Sequence, residues 1–171
     1  VNVIALSGGE PMERFEAVLA LLESGDKDLS DFHLHTSGWG VSLEKALELR
    51  KAGLAAAGVG LDDFDPGRHD LIRGFPGAHR EAVQAMRNFQ QAGVFTYINM
   101  CLTKDLVRSG GLLGFMEMAK NLGVGVVRFL EPRPCGGYFF EDQDDLFSED
   151  DRRAVSAFSA QINSCRRYRN Y

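Results

Sequence analysis

Five times along this chain a short apolar run is followed by a stretch whose apolar residues recur at helical spacing. Strands that alternate with helices cannot be joined as hairpins, so they pair in parallel through right-handed crossovers. The first run, Val3-Ile4-Ala5-Leu6, stops at Ser7-Gly8-Gly9-Glu10-Pro11, and Met12, Phe15, Val18, Leu19 and Leu22 then mark a helix closed at Ser24-Gly25. A second strand is predicted over 31–36, with Phe32 and Leu34 on one face and His33 and His35 on the other. Ser42 is an N-cap for the next helix, which carries Leu43, Ala46 and Leu47 and ends at Gly53.

A third, small-residue strand is predicted over 54–61, ending in Asp62-Asp63. A long connection with Arg68, His69, Asp70 and Arg73 leads to a helix that turns Ala82, Met86 and Phe89 inward and closes at Gly93. The fourth strand is predicted over 94–100, followed by a helix over 112–122, and the fifth over 124–130. The prolines and glycines of 131–138 predict a loop, and the acidic stretch 141–145 a solvated one. A last helix opens at Ser148, with Asp151 as capping-box partner and Val155, Phe158, Ile162 and Cys165 as its inward row. The chain reads as one domain over 1–171, in which 139–171 form the acidic loop and the C-terminal helix.

With 171 residues the chain is long enough to bury a core. Its net charge of -5 argues against nucleic acid, because phosphate contacts need a clustered basic surface. The basic cluster Arg166-Arg167-Tyr168-Arg169 reads as a charged chain end. No apolar run is long enough to span a bilayer and no signal peptide precedes the first strand, so the reading is cytoplasmic, without a membrane partner. Cys101, Cys135 and Cys165 are odd in number and far apart, which predicts free thiols. The chain starts at a valine already inside a strand pattern, without methionine, as a fragment lacking its N-terminal part would.

In parallel sheets, open or closed, ligands bind outside the carboxyl ends of the strands. The chemically suggestive groups fall at those ends: Gly8-Gly9-Glu10, Thr36-Ser37, Asp62-Asp63, Asn99 and Glu131-Pro132-Arg133. Glycines leave backbone N–H groups uncovered, and Pro11 suits a first helical position. A carboxylate beside such donors suits a zwitterion, whose carboxylate needs donors and whose ammonium needs acceptors.

Taken together, these residues resemble the radical S-adenosylmethionine enzymes from Val1 to about Tyr138, closest to the subgroup with extra C-terminal cluster domains (SPASM), which often acts on peptides. Ser7-Gly8-Gly9-Glu10-Pro11 is similar to the family's turn that holds the amino group of the methionyl moiety. His35-Thr36-Ser37-Gly38 stands where the family commonly has Thr-Asn-Gly. Val59-Gly60-Leu61-Asp62 stands where it often has Val-Ser-Leu-Asp near the ribose, with Gly60 replacing the serine. Arg73 lies in a segment similar to one in which an arginine meets the cofactor carboxylate. The resemblance therefore implies Ser7, Gly8, Gly9 and Glu10 for the amino group, Arg73 for the carboxylate, Asp62 with Thr36 or Ser37 near the ribose, and further contacts from Asn99 and Pro132.

It implies an α/β partial (β/α)6 TIM-like barrel of parallel strands, here lacking the first strand and its cluster loop. It also implies S-adenosyl-L-methionine and a [4Fe-4S] cluster as cofactors, an electron donor such as ferredoxin or flavodoxin, and a peptide or small-molecule substrate. In the family the reduced cluster cleaves S-adenosylmethionine, and the resulting 5'-deoxyadenosyl radical abstracts a substrate hydrogen. The CxxxCxxC that supplies the cluster's three thiolates does not occur in this sequence, and its place in the family is upstream of Val1. The chain alone is thus expected to be inactive and the intact protein active.

Two other readings compete. Asp31-Phe32-His33-Leu34-His35-Thr36 resembles the first strand of PHP-class metal-dependent phosphoesterases, in which His33 and His35 would be metal ligands. Such a site needs further histidines and carboxylates on later strands, and after His35 the chain offers only His69 and His79. The missing cysteines also allow a non-catalytic, decayed barrel.

Overall fold

The structure, a computed structural model, describes residues 2–133, 146–165 and Tyr168. The loop expected over 134–138, Cys135, the acidic stretch 141–145 and the arginines 166, 167 and 169 lie outside the described residues. Strands β1 (Asn2–Leu6), β2 (Ser30–Thr36), β3 (Leu54–Gly60), β4 (Phe95–Cys101) and β5 (Val126–Leu130) form one sheet in the order β1-β2-β3-β4-β5. Every neighbouring pair is parallel, and the sheet curls into half a barrel with helices on its outside.

Because side chains alternate across a strand, the pairing register sorts them into two faces. Leu34 pairs with Ala57, and Thr36 with Val59 and through it Ile98. This outer layer is buried, and helices α1 (Phe15–Ser24), α2 (Leu43–Lys51), α4 (Ala78–Gln91) and α6 (Leu112–Leu122) pack on it. Leu22, Ala46, Leu49, Met86, Phe89 and Phe115 are among its fully buried helical residues. The inner layer runs His35, Gly58, Tyr97, Val126 in one row and Gly60, Asn99, Arg128 in the next.

Most helix ends follow their local chemistry. Ser42 caps α2 by accepting from Lys45 N at 3.2 Å, and Gly123 ends α6 at a left-handed φ of 69°. Helix α7 (Glu149–Ser164) opens on the expected capping box of Ser148 and Asp151. Asp151 also takes both Arg108 Nε and Nη2, at 2.8 and 2.9 Å, which clasps α7 to the short helix α5 (Lys104–Arg108). These hydrogen bonds hold its carboxyl far below the usual carboxylate range.

Several expectations need correction. Residues 66–73 are a helix, α3 (Pro66–Arg73), where a connection is expected. Asp65 caps it and Pro66 starts it, but His69 is its only buried residue, so no apolar row announces it. Helix α5 is likewise too short for periodicity. A turn of 3-10 helix, Pro11–Arg14, precedes α1. In α2 the buried row is Ala46 and Leu49, while Leu47 is half exposed. Cys165 is exposed at the end of α7 rather than part of its inward row. Strands β4 and β5 start one and two residues later than their apolar runs.

Candidate active site at the strand ends

The turn after β1 carries Gly8 and Gly9 at φ 109° and 49°, and a Cβ at either would meet nothing within 4 Å. Both positions therefore need glycine for conformation rather than space, and they leave the backbone bare. Glu10 caps the following turn by accepting from Met12 N at 3.1 Å. Its carboxylate also accepts from Thr36 Oγ1 at 2.6 Å, from Ser37 N at 2.7 Å and from the Ser37 hydroxyl. One acidic side chain thus ties the end of β1 to the end of β2. Thr36 Oγ1 in turn accepts from Gly38 N at 3.0 Å, so the β2 end is closed by the same network.

At the end of β3, Asp62 is buried, forms an ion pair with Arg73 Nε at 2.6 Å and accepts from Cys101 N at 2.9 Å. Its own N–H donates to His69 Nδ1 at 3.1 Å. A ring nitrogen that accepts a backbone N–H carries no proton, so His69 is neutral with its proton on Nε2. Burial lowers its pKa in agreement. The 3.9 Å approach of His69 Nδ1 to Asp62 is therefore not an ion pair. Asp70 does not pair with Arg73; it accepts from the N–H groups of Gly77 and His79, and these bonds lower its pKa.

Gly60 accounts for itself in the same place. A Cβ there would lie 2.6 Å from Arg73 Nη2. The guanidinium crosses the strand end where the resembling family often has a serine side chain. Arg73 remains about a third exposed.

These groups line a cleft of about 330 Å³ outside the carboxyl ends of the strands. Ser7, Gly9, Glu10, Thr36, Ser37, Asp62, Arg73 and Asn99 all line it, while Gly8 and Pro132 do not. Cys101, His35 and Leu130 complete the wall. A second cleft of about 400 Å³ shares Glu10, Ser37 and Arg73 with the first and is flanked by Trp39, His69 and Phe75. Sequence reasoning missed Trp39, Phe75 and the role of His69. Trp39, the single tryptophan, follows directly on the Thr36-Ser37-Gly38 strand end, which was the available signal.

Below the cleft, on the concave face, Tyr97 lies across β3 above Gly58, and a Cβ on Gly58 would overlap its ring. Its hydroxyl reaches His35 Nε2 at 2.7 Å and His33 Nδ1 at 3.3 Å. The Arg128 guanidinium carbon stands 4.2 Å from the ring centroid. Burial and then the Arg128 charge lower the pKa of both histidines, and burial raises that of Tyr97. Among the described residues no three His, Cys, Asp or Glu side chains stand together to hold a metal ion. His33 and His35 both turn to the Tyr97 phenol.

The donor set of the cleft fits a zwitterionic cofactor. Arg73 offers N–H groups to a carboxylate, and Glu10 with the oxygens of Thr36 and Ser37 offers acceptors to an ammonium. The described residues do not fit an iron–sulfur cluster, which needs clustered thiolates.

Residues 1–107 match the family model of the Radical SAM superfamily. The chain is 27% identical over 107 residues to the AdoMet-dependent heme synthase of Nitratidesulfovibrio vulgaris, covering 63% of this chain and 29% of that protein. It is 30% identical over 153 residues to the Fe-coproporphyrin III synthase of Methanosarcina barkeri, covering 90% of this chain and 37% of that protein. Among solved structures, native anSMEcpe with bound AdoMet and the Cp18Cys peptide has a TM-score of 0.70 at 17% identity, covering 94% of this chain and 46% of that one. The chain spans about a third of the length of these two curated relatives.

Proposed function

We propose, from the premise that this chain belongs to the radical SAM superfamily, that it is the cofactor-holding part of an enzyme that takes hydrogen from a small-molecule substrate. The observation that carries this reading is that Glu10 and Arg73 line the same cleft at the strand ends. When bound, S-adenosylmethionine and a reduced [4Fe-4S] cluster supply one-electron chemistry at an unactivated C–H bond.

The residues of this chain bind and orient. Arg73, aligned by Asp62 and seated over Gly60, meets the cofactor carboxylate. Glu10 meets the ammonium, and its four donors hold its charge at the mouth of the cleft. Asp62 takes no ligand hydroxyl on the oxygen that Arg73 occupies; its part is to aim the guanidinium, while Ser37 and Asn99 face the ribose. Trp39 and Phe75 exclude water from the flank. Electrons come from a donor such as ferredoxin or flavodoxin.

For the substrate we propose a carboxylated tetrapyrrole. The curated relatives, at 27% and 30% identity, are named for heme and iron-coproporphyrin synthesis. The test is calorimetric titration of S-adenosylmethionine into the full-length protein carrying this chain. Arg73→Gln is expected to weaken binding at least tenfold, as does loss of a charge-assisted hydrogen bond of about 1.5–3 kcal/mol. Unchanged affinity in both Arg73→Gln and Glu10→Gln would overturn the assignment.

A further inference from the structure

We infer that Arg128, His33, His35 and Tyr97 form a subsite on the concave face that binds a carboxylate of the substrate. The inference rests on the proposed carboxylated tetrapyrrole substrate, and it deepens that reading by giving one of its carboxylates a place.

Arg128 is the first observation. Arg73, Arg108 and Arg152 are each paired with a carboxylate at 2.9 Å or closer. No carboxylate of the described residues forms an ion pair with Arg128, although it is carried on the face that the sheet curls around. Its planar group rests on the Tyr97 ring, a cation–π contact at 4.2 Å. That contact occupies one flat side of the guanidinium, one N–H of which also bonds the Tyr97 hydroxyl; its other N–H groups suit a planar anion, whose two oxygens match the fork.

The hydrogen-bond count supplies the second. The Tyr97 hydroxyl has one proton, so it donates to one of the two imidazoles and accepts from the other. Whichever way that proton points, the neutral pair keeps one N–H that Tyr97 does not use. It is on His35 Nδ1 in one arrangement and on His33 Nε2 in the other, and neither atom has a partner among the described residues. The group therefore presents one fixed positive charge and one neutral donor, the complement of a single carboxylate.

A third observation is why the group stays in place. Gly58 lets Tyr97 span β3 and join two strands to the Arg128 strand. Phe95, Val126 and Leu130 are exposed apolar residues on the same face, suited to the hydrocarbon part of such a ligand.

The test uses the full-length protein carrying this chain, with its cluster oxidised, and three probes: sodium propionate, coproporphyrin III and the tetramethyl ester of coproporphyrin III. Propionate is expected to shift the ring resonances of His33 and His35 and to raise their titration midpoints, because it offsets the Arg128 charge. Arg128→Gln removes both effects, and Arg128→Lys restores the midpoint change in part. Coproporphyrin III is expected to bind at least tenfold more weakly to Arg128→Gln, with the ester equally weak in both proteins. An Arg128-dependent propionate effect without any coproporphyrin III binding would sink the tetrapyrrole reading and leave the carboxylate subsite standing.

Equal binding of acid and ester, or propionate shifts independent of Arg128, would overturn the subsite itself. So would a matching loss of S-adenosylmethionine affinity in Arg128→Gln, which would give that carboxylate to the cofactor. Because Arg128 is exposed on an edge strand, an unchanged thermal melt is expected for Arg128→Gln. Where the melt moves, the Arg128→Lys comparison decides the same question.

Discussion

The two faces of the one sheet are built from alternate residues of the same strands, and they differ in kind. On β2 the outward residues Phe32 and Leu34 are buried against helices, while the inward His33 and His35 are only half-buried and bonded to a phenol. On β3 the inward residues Ala56, Gly58 and Gly60 are small, and their missing bulk is what admits Tyr97 and Arg73. The outer face is filled by dry, close-packed side chains, and the inner one is kept open by subtraction. Stability is therefore concentrated on one side, and the open side is the one proposed for recognition.

The largest expected effect tests the first half of that statement. Leu34→Ala removes a fully buried side chain at the centre of the outer layer, and is expected to cost about 2–5 kcal/mol in urea unfolding. His35→Ala, one residue on, removes a half-buried ring and one hydrogen bond, about 1 kcal/mol. Comparable losses for the two would mean that the faces are not specialised.

The next test separates two glycines of the inner face. Gly58→Ala drives a methyl into the Tyr97 ring and to 2.7 Å from Asn99 Nδ2, and is expected to cost about 1–3 kcal/mol. Gly60→Ala meets only the far end of the Arg73 side chain, which can swing away. Its stability should change little, while affinity for S-adenosylmethionine falls because Arg73 is displaced from Asp62. A stable Gly58→Ala protein with full affinity in Gly60→Ala would remove the argument that missing side chains shape this face.

The alternation of β2 also explains how much was legible beforehand. Phe32 and Leu34 against His33 and His35 is a period of two that only a strand makes, and the turn Gly8-Gly9-Glu10 announced a strand end before any contact was known. Eight of the ten residues that the resemblance implies for the cofactor line one cleft at the strand ends. What the sequence could not show is who pairs with whom. Arg73 and Asp62 are eleven residues apart, and their ion pair exists because α3 folds back over β3. Helix α3 itself was hidden because Leu71 and Ile72 are exposed and only His69 turns inward. Tyr97 and Arg128 were invisible as site residues, since each reads as an ordinary strand position until the register places them in adjoining rows.

The smallest effect sharpens the comparison through pH. All four histidines have lowered pKa values, with burial the largest cause in each. A base whose folded pKa lies below its unfolded value of 6.5 binds more protons when unfolded, so stability rises with pH. The full stability is present above about pH 6.5 and is lost as pH falls below it, until the folded pKa values are passed. The two regions should contribute unequally. Protonating His69 must break its bond from Asp62 N at a ring that is 1% exposed. Protonating His33 or His35 disturbs only the open face. His69→Asn keeps an acceptor for Asp62 N without a titrating group, and should flatten the melting-temperature decline between pH 6.5 and 5 more than His33→Asn does. A larger flattening from His33→Asn would place the acid-sensitive contact on the concave face, and would reverse the division between a buried histidine at the strand end and half-buried ones on the open face.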